Sequence, residues 1–175
     1  MAKKVAVIAF NPVNGMGLFQ YLEAFFENNI PFRTFAIADS KEVKTNSGVG
    51  VVFDDVIANL KGHEGEYDAL VFSCGDGFLT FSENAGKQYN KDVFDVLKAF
   101  DKQGKLIAGH CAVSILFDGA GVITGKKVAV HPLAKSAIAN GIATDEKYVV
   151  DKNIYTAQTE NSIWELMPKL LEALK

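Results

Sequence analysis

Cysteine is scarce in this sequence, because only Cys74 and Cys111 among its 175 residues carry a thiol. Two cysteines in a chain of this length cannot form the disulfide framework that stabilises small secreted proteins. The scarcity therefore excludes a disulfide-stabilised fold. Each cysteine is expected to act as a free thiol, either reactive or packed as a small apolar side chain.

Long apolar runs and an excess of charge of one sign are also missing. The first apolar run, residues 5–10, is too short for the core of a signal peptide, and no run approaches the roughly 20 residues that span a membrane. Lys and Arg total 18 against 21 Asp and Glu, and neither sign is clustered. These absences predict a cytoplasmic protein that binds neither nucleic acid nor membrane.

What the sequence does contain is an alternation of short apolar runs and longer amphipathic stretches. Apolar residues make up 49% of the chain, enough for one domain, residues 1–175, with a substantial core. The alternation predicts an α/β fold, a mostly parallel sheet with helices on both faces. Its strands are predicted at residues 4–10, 32–37, 69–72, 105–109 and 127–130.

Helices are predicted at residues 17–28, 92–103 and 162–174, where apolar side chains recur at helical spacing. Pro168 lies inside the last of these and is expected to kink or split it. Residues 43–45 and 49–52 flank Asn46-Ser47-Gly48 and predict a small hairpin. Residues 147–151 and 153–157 predict a second strand pair near the end of the chain.

Cys111 is the most informative residue, because it stands between the apolar run 105–109 and a helical pattern that begins at Ala112. A strand that turns within one residue into a helix presents that residue at the carboxyl edge of the sheet. The N–H groups of the helix N-terminus can lower a thiol's pKa and bind a developing oxyanion. The position therefore predicts a nucleophilic thiol, and the alternative is a buried structural cysteine.

Other residues with chemical potential follow neighbouring strands. Cys74, Gly75 and Asp76 come after the strand at 69–72, and His131 follows the strand at 127–130. His110 directly precedes Cys111. Because ligands bind outside the carboxyl ends of strands in such sheets, these residues are candidates for one site.

This set of residues resembles the ThiJ/PfpI superfamily, the group of intracellular protease I and the parkinsonism-associated deglycase. The similarity extends over five separated segments and essentially the whole chain. It includes the elbow cysteine followed by alanine and the string His131-Pro132-Leu133-Ala134-Lys135. The resemblance implies a flavodoxin-like, doubly wound sheet and a homodimer or larger homo-oligomer.

By the same resemblance, Cys111 is the nucleophile of a cysteine-dependent hydrolase, either a protease or amidase or a dicarbonyl glyoxalase or deglycase. The N–H groups of Gly75 and Ala112 would form the oxyanion hole. His131, or His110, would move the proton. The implied substrate is a small-molecule or peptide carbonyl compound, and no cofactor is implied.

The sequence departs from the family pattern around the cysteine. The family's glutamate after the first strand, which bonds to the cysteine, is replaced by Gly17. The protease branch has histidine where Ala112 stands, and the family usually has glycine where Val113 stands. Before the last helix, Gln158 and Glu160 stand where the family has arginine and proline.

The missing acid leaves several interpretations open. Glu160 or Asp76 could replace it, or each could simply complement a helix or form a turn. Glu83 could be donated by a neighbouring subunit. Cys74 could resolve an oxidised Cys111, whereas the spacing has no regularity typical of zinc motifs, so no metal is predicted. The alternative to an enzyme is a catalytically silent or redox-sensing binding or dimerisation module of the same fold.

A homodimer is also indicated by the aromatic residues of the first helix. On a helical wheel Phe19 and Phe26 share one side, whereas Leu18, Leu22 and Phe25 share another. One set can face the sheet and the other a second subunit. The sequence therefore predicts a contact between subunits near Phe19 or Phe26.

Overall fold

The computed structural model describes residues 3–175. Its strands are β1 (Val5–Ala9), β2 (Phe32–Ala36), β3 (Glu42–Lys44), β4 (Gly50–Val52), β5 (Asp55–Val56), β6 (Ala69–Ser73), β7 (Leu106–His110), β8 (Lys127–Ala129), β9 (Ile142–Thr144), β10 (Tyr148–Asp151) and β11 (Ile154–Ala157). Its α-helices are α1 (Gly15–Glu27), α2 (Gln88–Lys102), α3 (Val113–Gly119) and α4 (Ile163–Leu174).

Seven of these strands form the central sheet, in the order β10-β11-β7-β6-β1-β2-β5. Every neighbouring pair is parallel except β10 and β11, which pair antiparallel at one edge. The chain runs outward from β1 to β2 on one side and from β6 to β7 on the other, so the strand order reverses between β1 and β6. The predicted doubly wound α/β fold is confirmed.

Helices cover both faces of this sheet, and β1 shows how the sequence divides between them. Val5 and Val7 pack in the apolar cluster with α1 and α4, and Ala6 and Ile8 pack in the cluster with α2 and α3. Successive strand residues point to opposite faces, so a continuous apolar run is what a strand buried on both faces requires.

The predicted strand at residues 127–130 exists as β8 but lies outside the central sheet, which corrects its expected place. It pairs in parallel with β9, a strand that the sequence pattern did not indicate. The β8 backbone is attached to the sheet through side chains: Lys127 N–H donates to Asp151 (2.8 Å) and Ala129 N–H donates to the Thr156 hydroxyl (2.8 Å). The sheet edge itself is already occupied by β10.

The other predicted elements are present, with changed boundaries. α2 begins at Gln88 rather than residue 92, and its N-cap, Lys87, makes no side-chain capping bond, so the usual sequence signal for a helix start is missing. The hairpin β3–β4 forms a separate antiparallel pair.

α4 continues without interruption past Pro168, so the expected split is wrong. Proline has no N–H, so Pro168 cannot donate the helical hydrogen bond to the Trp164 carbonyl. Both residues are exposed, so water can donate to that carbonyl instead.

Within residues 3–175, none of the helices combines the length and the apolar character needed to cross a membrane.

The loop that follows residues 132–137 is held by one buried carboxylate, that of Asp118 at the end of α3. It accepts backbone N–H bonds from Ala139 (3.0 Å), Asn140 (3.0 Å) and Gly141 (2.7 Å). Burial raises the pKa of Asp118, but the amides of residues 139–141 outweigh burial and hold it below its usual range. The carboxylate therefore ties this loop to α3.

We expect Asp118→Asn to destabilise the protein at pH 7 by about 1–3 kcal/mol, because the buried amides lose a charged acceptor. The folded pKa is depressed, so the wild-type contribution is complete above the unfolded pKa of about 3.9 and is lost as the pH falls through the folded value. Urea unfolding of both proteins should therefore give a difference that is large at pH 7 and shrinks near pH 3.

The matched control is Asp145→Asn, because Asp145 pairs with Lys135 on the surface. That change should cost at most about 0.5 kcal/mol. A difference between wild type and Asp118→Asn that is the same at both pH values would contradict the assigned role of the carboxylate.

Candidate active site

Cys111 occupies the turn between β7, which ends at His110, and α3, which begins at Val113. Its φ angle is +64°, a left-handed conformation that is uncommon for residues other than glycine. Its N–H donates to the Ala157 carbonyl (3.1 Å), and its carbonyl accepts from the His131 N–H (3.3 Å). The expected sharp strand-to-helix turn is therefore present and is held from two sides.

The close approach of α3 to β7 depends on Gly109. A Cβ added to Gly109 would lie 2.5 Å from a methyl carbon of Val113 and 3.0 Å from the Phe117 ring. Real Cβ atoms do not tolerate such distances. The crowding expected from Val113 is therefore relieved by the missing side chain at position 109.

Around this turn lies a cavity of about 600 Å³ at the carboxyl edge of the sheet. Cys74 lines it, and so do the other residues that the sequence singled out as candidates for the site, with the exception of Glu83. They are Cys111, His110, His131, Gly75, Ala112, Asp76 and Glu160. The topology thus brings together residues from three separate strand ends and from the start of the last helical segment.

The two amides expected to bind an oxyanion face this cavity from neighbouring strand ends. Within residues 3–175, neither the Gly75 N–H nor the Ala112 N–H donates to an oxygen acceptor. Gly75 has no room for a side chain, because an added Cβ would lie 2.4 Å from the Pro12 carbonyl oxygen and 2.6 Å from the Asn14 nitrogen. The two N–H groups instead face the cavity thiols, Gly75 acting on Cys74 and Ala112 on both Cys74 and Cys111. Sulfur is a weak acceptor, so a carbonyl oxygen bound beside Cys111 can compete for these donors.

The two thiols are neighbours in the cavity. The Cys74 thiol beside Cys111 lowers the pKa of Cys111; burial raises that pKa and the Ala112 N–H lowers it, with a net shift downward. The carboxylates of Glu160 and Asp76 act against this shift. The contact with Cys111, together with burial, raises the pKa of Cys74 well above its usual range. Cys111 is therefore the more acidic thiol of the pair, and Cys74 is the thiol that holds its proton more tightly.

The space beside Gly17, where the family resemblance expects a glutamate, is filled by the ring of His110. A Cβ on Gly17 would lie 2.6 Å from His110 Nε2. His110 is fully buried, its Nδ1 lies 3.4 Å from the Tyr21 hydroxyl, and its Nε2 has no partner within residues 3–175. Burial lowers the pKa of His110 to about 3. The ring is therefore neutral at pH 7.

His131 lies at the rim of the cavity and is half-buried. Its Nδ1 accepts a hydrogen bond from the Leu133 N–H (3.3 Å). When Nδ1 accepts, the proton of the neutral imidazole is on Nε2. His131 can therefore donate a proton from Nε2, and between the two histidines it is the better placed for proton transfer.

The three candidate acids differ in their exposure and in whether they line the cavity. Glu160 is half-buried and begins the short helical turn before α4, and its carbonyl accepts from the Gln20 amide (3.0 Å). Asp76 is exposed, and its N–H donates a hydrogen bond to the Asn46 side-chain oxygen. Glu83 is exposed and is not among the residues, within 3–175, that line the cavity. None of these carboxylates takes over the position beside Gly17.

Sequence reasoning missed two polar residues and several apolar ones in the cavity. Asn14 caps α1 by accepting from the Gly17 N–H (2.8 Å), a capping pattern that could have identified it. Asn46 enters from the β3–β4 hairpin, and no local signal shows that this hairpin reaches the cavity. The sequence pattern also did not indicate the apolar wall of the cavity, which consists of Phe78, Leu79, Ile115, Leu133, Ala134 and Ala137.

Two matches from Bacteroides thetaiotaomicron are similar to this chain over essentially its whole length. "Protein ppBat" of Bacteroides thetaiotaomicron is 63% identical over 175 residues, all of both chains. The crystal structure of the putative protease I from Bacteroides thetaiotaomicron superposes with a TM-score of 0.98 at 63% identity, covering 99% of this chain and 100% of that one.

A more distant structure, Drosophila melanogaster DJ-1beta, has a TM-score of 0.86 at 23% identity, covering 99% of this chain and 91% of that one, and shows the shared fold. The sequence profile of the DJ-1/PfpI family matches residues 3–173. The resemblance inferred from the cysteine elbow and the His-Pro-Leu-Ala-Lys string is therefore confirmed, and the chain belongs to the DJ-1/PfpI family.

Proposed function

We propose that this protein is a cysteine-dependent hydrolase that acts on a carbonyl compound through Cys111. The observation that carries the proposal is that Cys111, whose pKa is lowered, shares one cavity with the N–H groups of Gly75 and Ala112, which donate to no oxygen acceptor within residues 3–175. A nucleophile and an oxyanion site within one cavity are the two parts that acyl transfer requires.

In the proposed reaction the Cys111 thiolate adds to the carbonyl carbon, and the electron pair of the C=O bond moves to oxygen. The amides of Gly75 and Ala112 stabilise that oxyanion. Collapse of the intermediate expels the leaving amine or alkoxide, which takes a proton from Nε2 of His131. Water then attacks the thioester and returns a proton to Nε2 of His131, so that the C–S bond breaks, the carboxylic acid leaves and the Cys111 thiolate is regenerated.

The lining of the cavity limits the substrate. Its walls are mainly apolar, and the carboxylates of Glu160 and Asp76 stand near the thiolate. A negatively charged substrate would be repelled by these two groups. The substrate class that fits is a neutral or positively charged small-molecule or peptide carbonyl, and a reactive dicarbonyl would be attacked by the same thiolate to give a hemithioacetal.

We keep a cytoplasmic location as a prediction. Cys74 and Cys111 are both free thiols in the structure. Free thiols adjacent to one another are most readily maintained in a reducing compartment.

We expect Cys111→Ser to lower hydrolytic or dicarbonyl-consuming activity by at least about 1,000-fold, because serine is a far weaker nucleophile at neutral pH. The assay uses a panel of neutral fluorogenic peptides and methylglyoxal. The matched control is Cys74→Ser, which makes the same atomic change at the thiol that does not attack and should retain measurable turnover. Wild-type rates in Cys111→Ser would remove this cysteine from the mechanism.

We further propose a homodimer formed through α1. Leu18 and Phe25 are buried against the sheet, whereas Phe19 is 41% and Phe26 is 70% exposed on the other side of the helix. At a symmetric contact each subunit buries the same Phe, and each burial stabilises the dimer by about 1.5–3 kcal/mol. The two contributions together offset part of the free-energy cost of association.

Light scattering at micromolar concentration should therefore give twice the 19.0 kDa mass of the chain. Phe26→Glu should shift the protein to the monomer mass, because a charge would be buried at the contact. Val52→Glu is the control, since Val52 is an exposed apolar residue that belongs to β4 and not to α1. A wild-type monomer at high concentration would contradict the proposed dimer.

A further inference from the structure

The two cysteines of the chain stand at the ends of neighbouring strands. β6 and β7 are parallel and in register, with Phe72 opposite Gly109. Two residues further along each strand come Cys74 and Cys111. Neighbouring strands are about 4.8 Å apart, and disulfide-bonded cysteines have Cα atoms about 4.4–6.8 Å apart. The strand pairing therefore places the two backbones at a distance that a disulfide can bridge.

The side chains are directed toward each other as well. Both cysteines line the same cavity, and each thiol is close enough to shift the pKa of the other. The N–H of Ala112 acts on both thiols. The strand register and the shared cavity therefore make the two sulfur atoms neighbours.

The two thiols differ in access and in protonation. Cys111 is half-buried and open to the cavity, whereas Cys74 is 4% exposed. The pKa of Cys111 is lowered, whereas the neighbouring Cys111 thiol and burial raise the pKa of Cys74. An oxidant that enters the cavity therefore meets Cys111 first, because the thiolate is the reactive form.

We propose that Cys74 and Cys111 form a two-cysteine redox site that reduces a hydroperoxide and closes into an intramolecular disulfide. The Cys111 thiolate attacks one peroxide oxygen, the O–O bond breaks, and the alcohol or water departs with a proton, leaving a sulfenic acid. The Cys74 sulfur then attacks the Cys111 sulfur, the S–O bond breaks, and hydroxide leaves as water with the proton of Cys74. The two thiols supply the two electrons that the peroxide takes up.

The residue changes around the thiol favour this outcome over further oxidation. The carboxylic acid that could hold an over-oxidised Cys111 is missing at Gly17, where the neutral ring of His110 stands. The neighbour that does contact Cys111 is a second thiol, which can trap the sulfenic acid before more peroxide arrives. The disulfide would also block the nucleophile of the proposed hydrolase, but the redox reaction does not depend on hydrolytic activity.

The test treats the fully reduced protein with one molar equivalent of hydrogen peroxide, blocks remaining thiols with N-ethylmaleimide and digests it with trypsin without reduction. Cleavage after Lys61, Lys87, Lys105 and Lys126 separates Cys74 in peptide 62–87 from Cys111 in peptide 106–126. We expect these peptides to appear as one linked species, about 2 Da lighter than their sum, that dithiothreitol separates.

Cys74→Ser and Cys74→Ala should both lose the linked species and accumulate Cys111 carrying one or two added oxygen atoms. Cys111→Ser should leave Cys74 reduced at the same peroxide dose, because the buried thiol is protonated. Either Cys74 variant is sufficient if the other fails to fold. Because the readout is peptide mass, an inactive hydrolase would leave this result unaffected.

Two outcomes would overturn the proposal. One is wild-type Cys111 that gains oxygen atoms to the same extent as in the Cys74 variants, without a linked species. The other is a disulfide that joins two chains, seen as a doubled mass in non-reducing gel electrophoresis, in place of the intramolecular bond.

Discussion

The left-handed turn at Cys111 is the constraint on which the candidate site depends. A φ of +64° at a residue with a side chain costs roughly 1–3 kcal/mol and persists only where the surrounding structure enforces it. Here the Ala157 carbonyl and the His131 N–H hold the Cys111 backbone, and Gly109 lets α3 approach the strand. Because these partners come from β11, the segment after β8 and β7, the turn also fixes the positions of three parts of the chain around one cavity.

Around that turn the departures from the family pattern depend on one another. Gly17 leaves a space, the His110 ring fills it, and burial keeps that ring neutral. A neutral ring cannot provide the charge or acidity of the family's glutamate. The largest cause of the lowered Cys111 pKa is instead Cys74, at the end of the neighbouring strand, so the residue that lowers this pKa is also the one positioned to bond with Cys111.

Much of this arrangement was predictable from the sequence, for physical reasons that also explain what was not. Apolar runs buried on both faces identify strands such as β1 and β6, and the parallel sheet then requires Cys74 and Cys111 to share an edge. The placement of β8 was not predictable, because its attachment depends on the side chains of Asp151 and Thr156. The position of the His110 ring was equally hidden, since it depends on an absent side chain 93 positions earlier in the sequence, at Gly17.

Cys74 and the Ala112 amide lower the pKa of Cys111, and the pH dependence of Cys111 alkylation tests this most directly. The rate of iodoacetamide incorporation into peptide 106–126 would be measured from about pH 5 to about pH 10 in the wild type and in Cys74→Ala. The account predicts a wild-type midpoint below the unperturbed thiol pKa of about 8.5, and a higher midpoint in Cys74→Ala. A wild-type midpoint at or above about 9, or one that Cys74→Ala leaves unchanged, would contradict it.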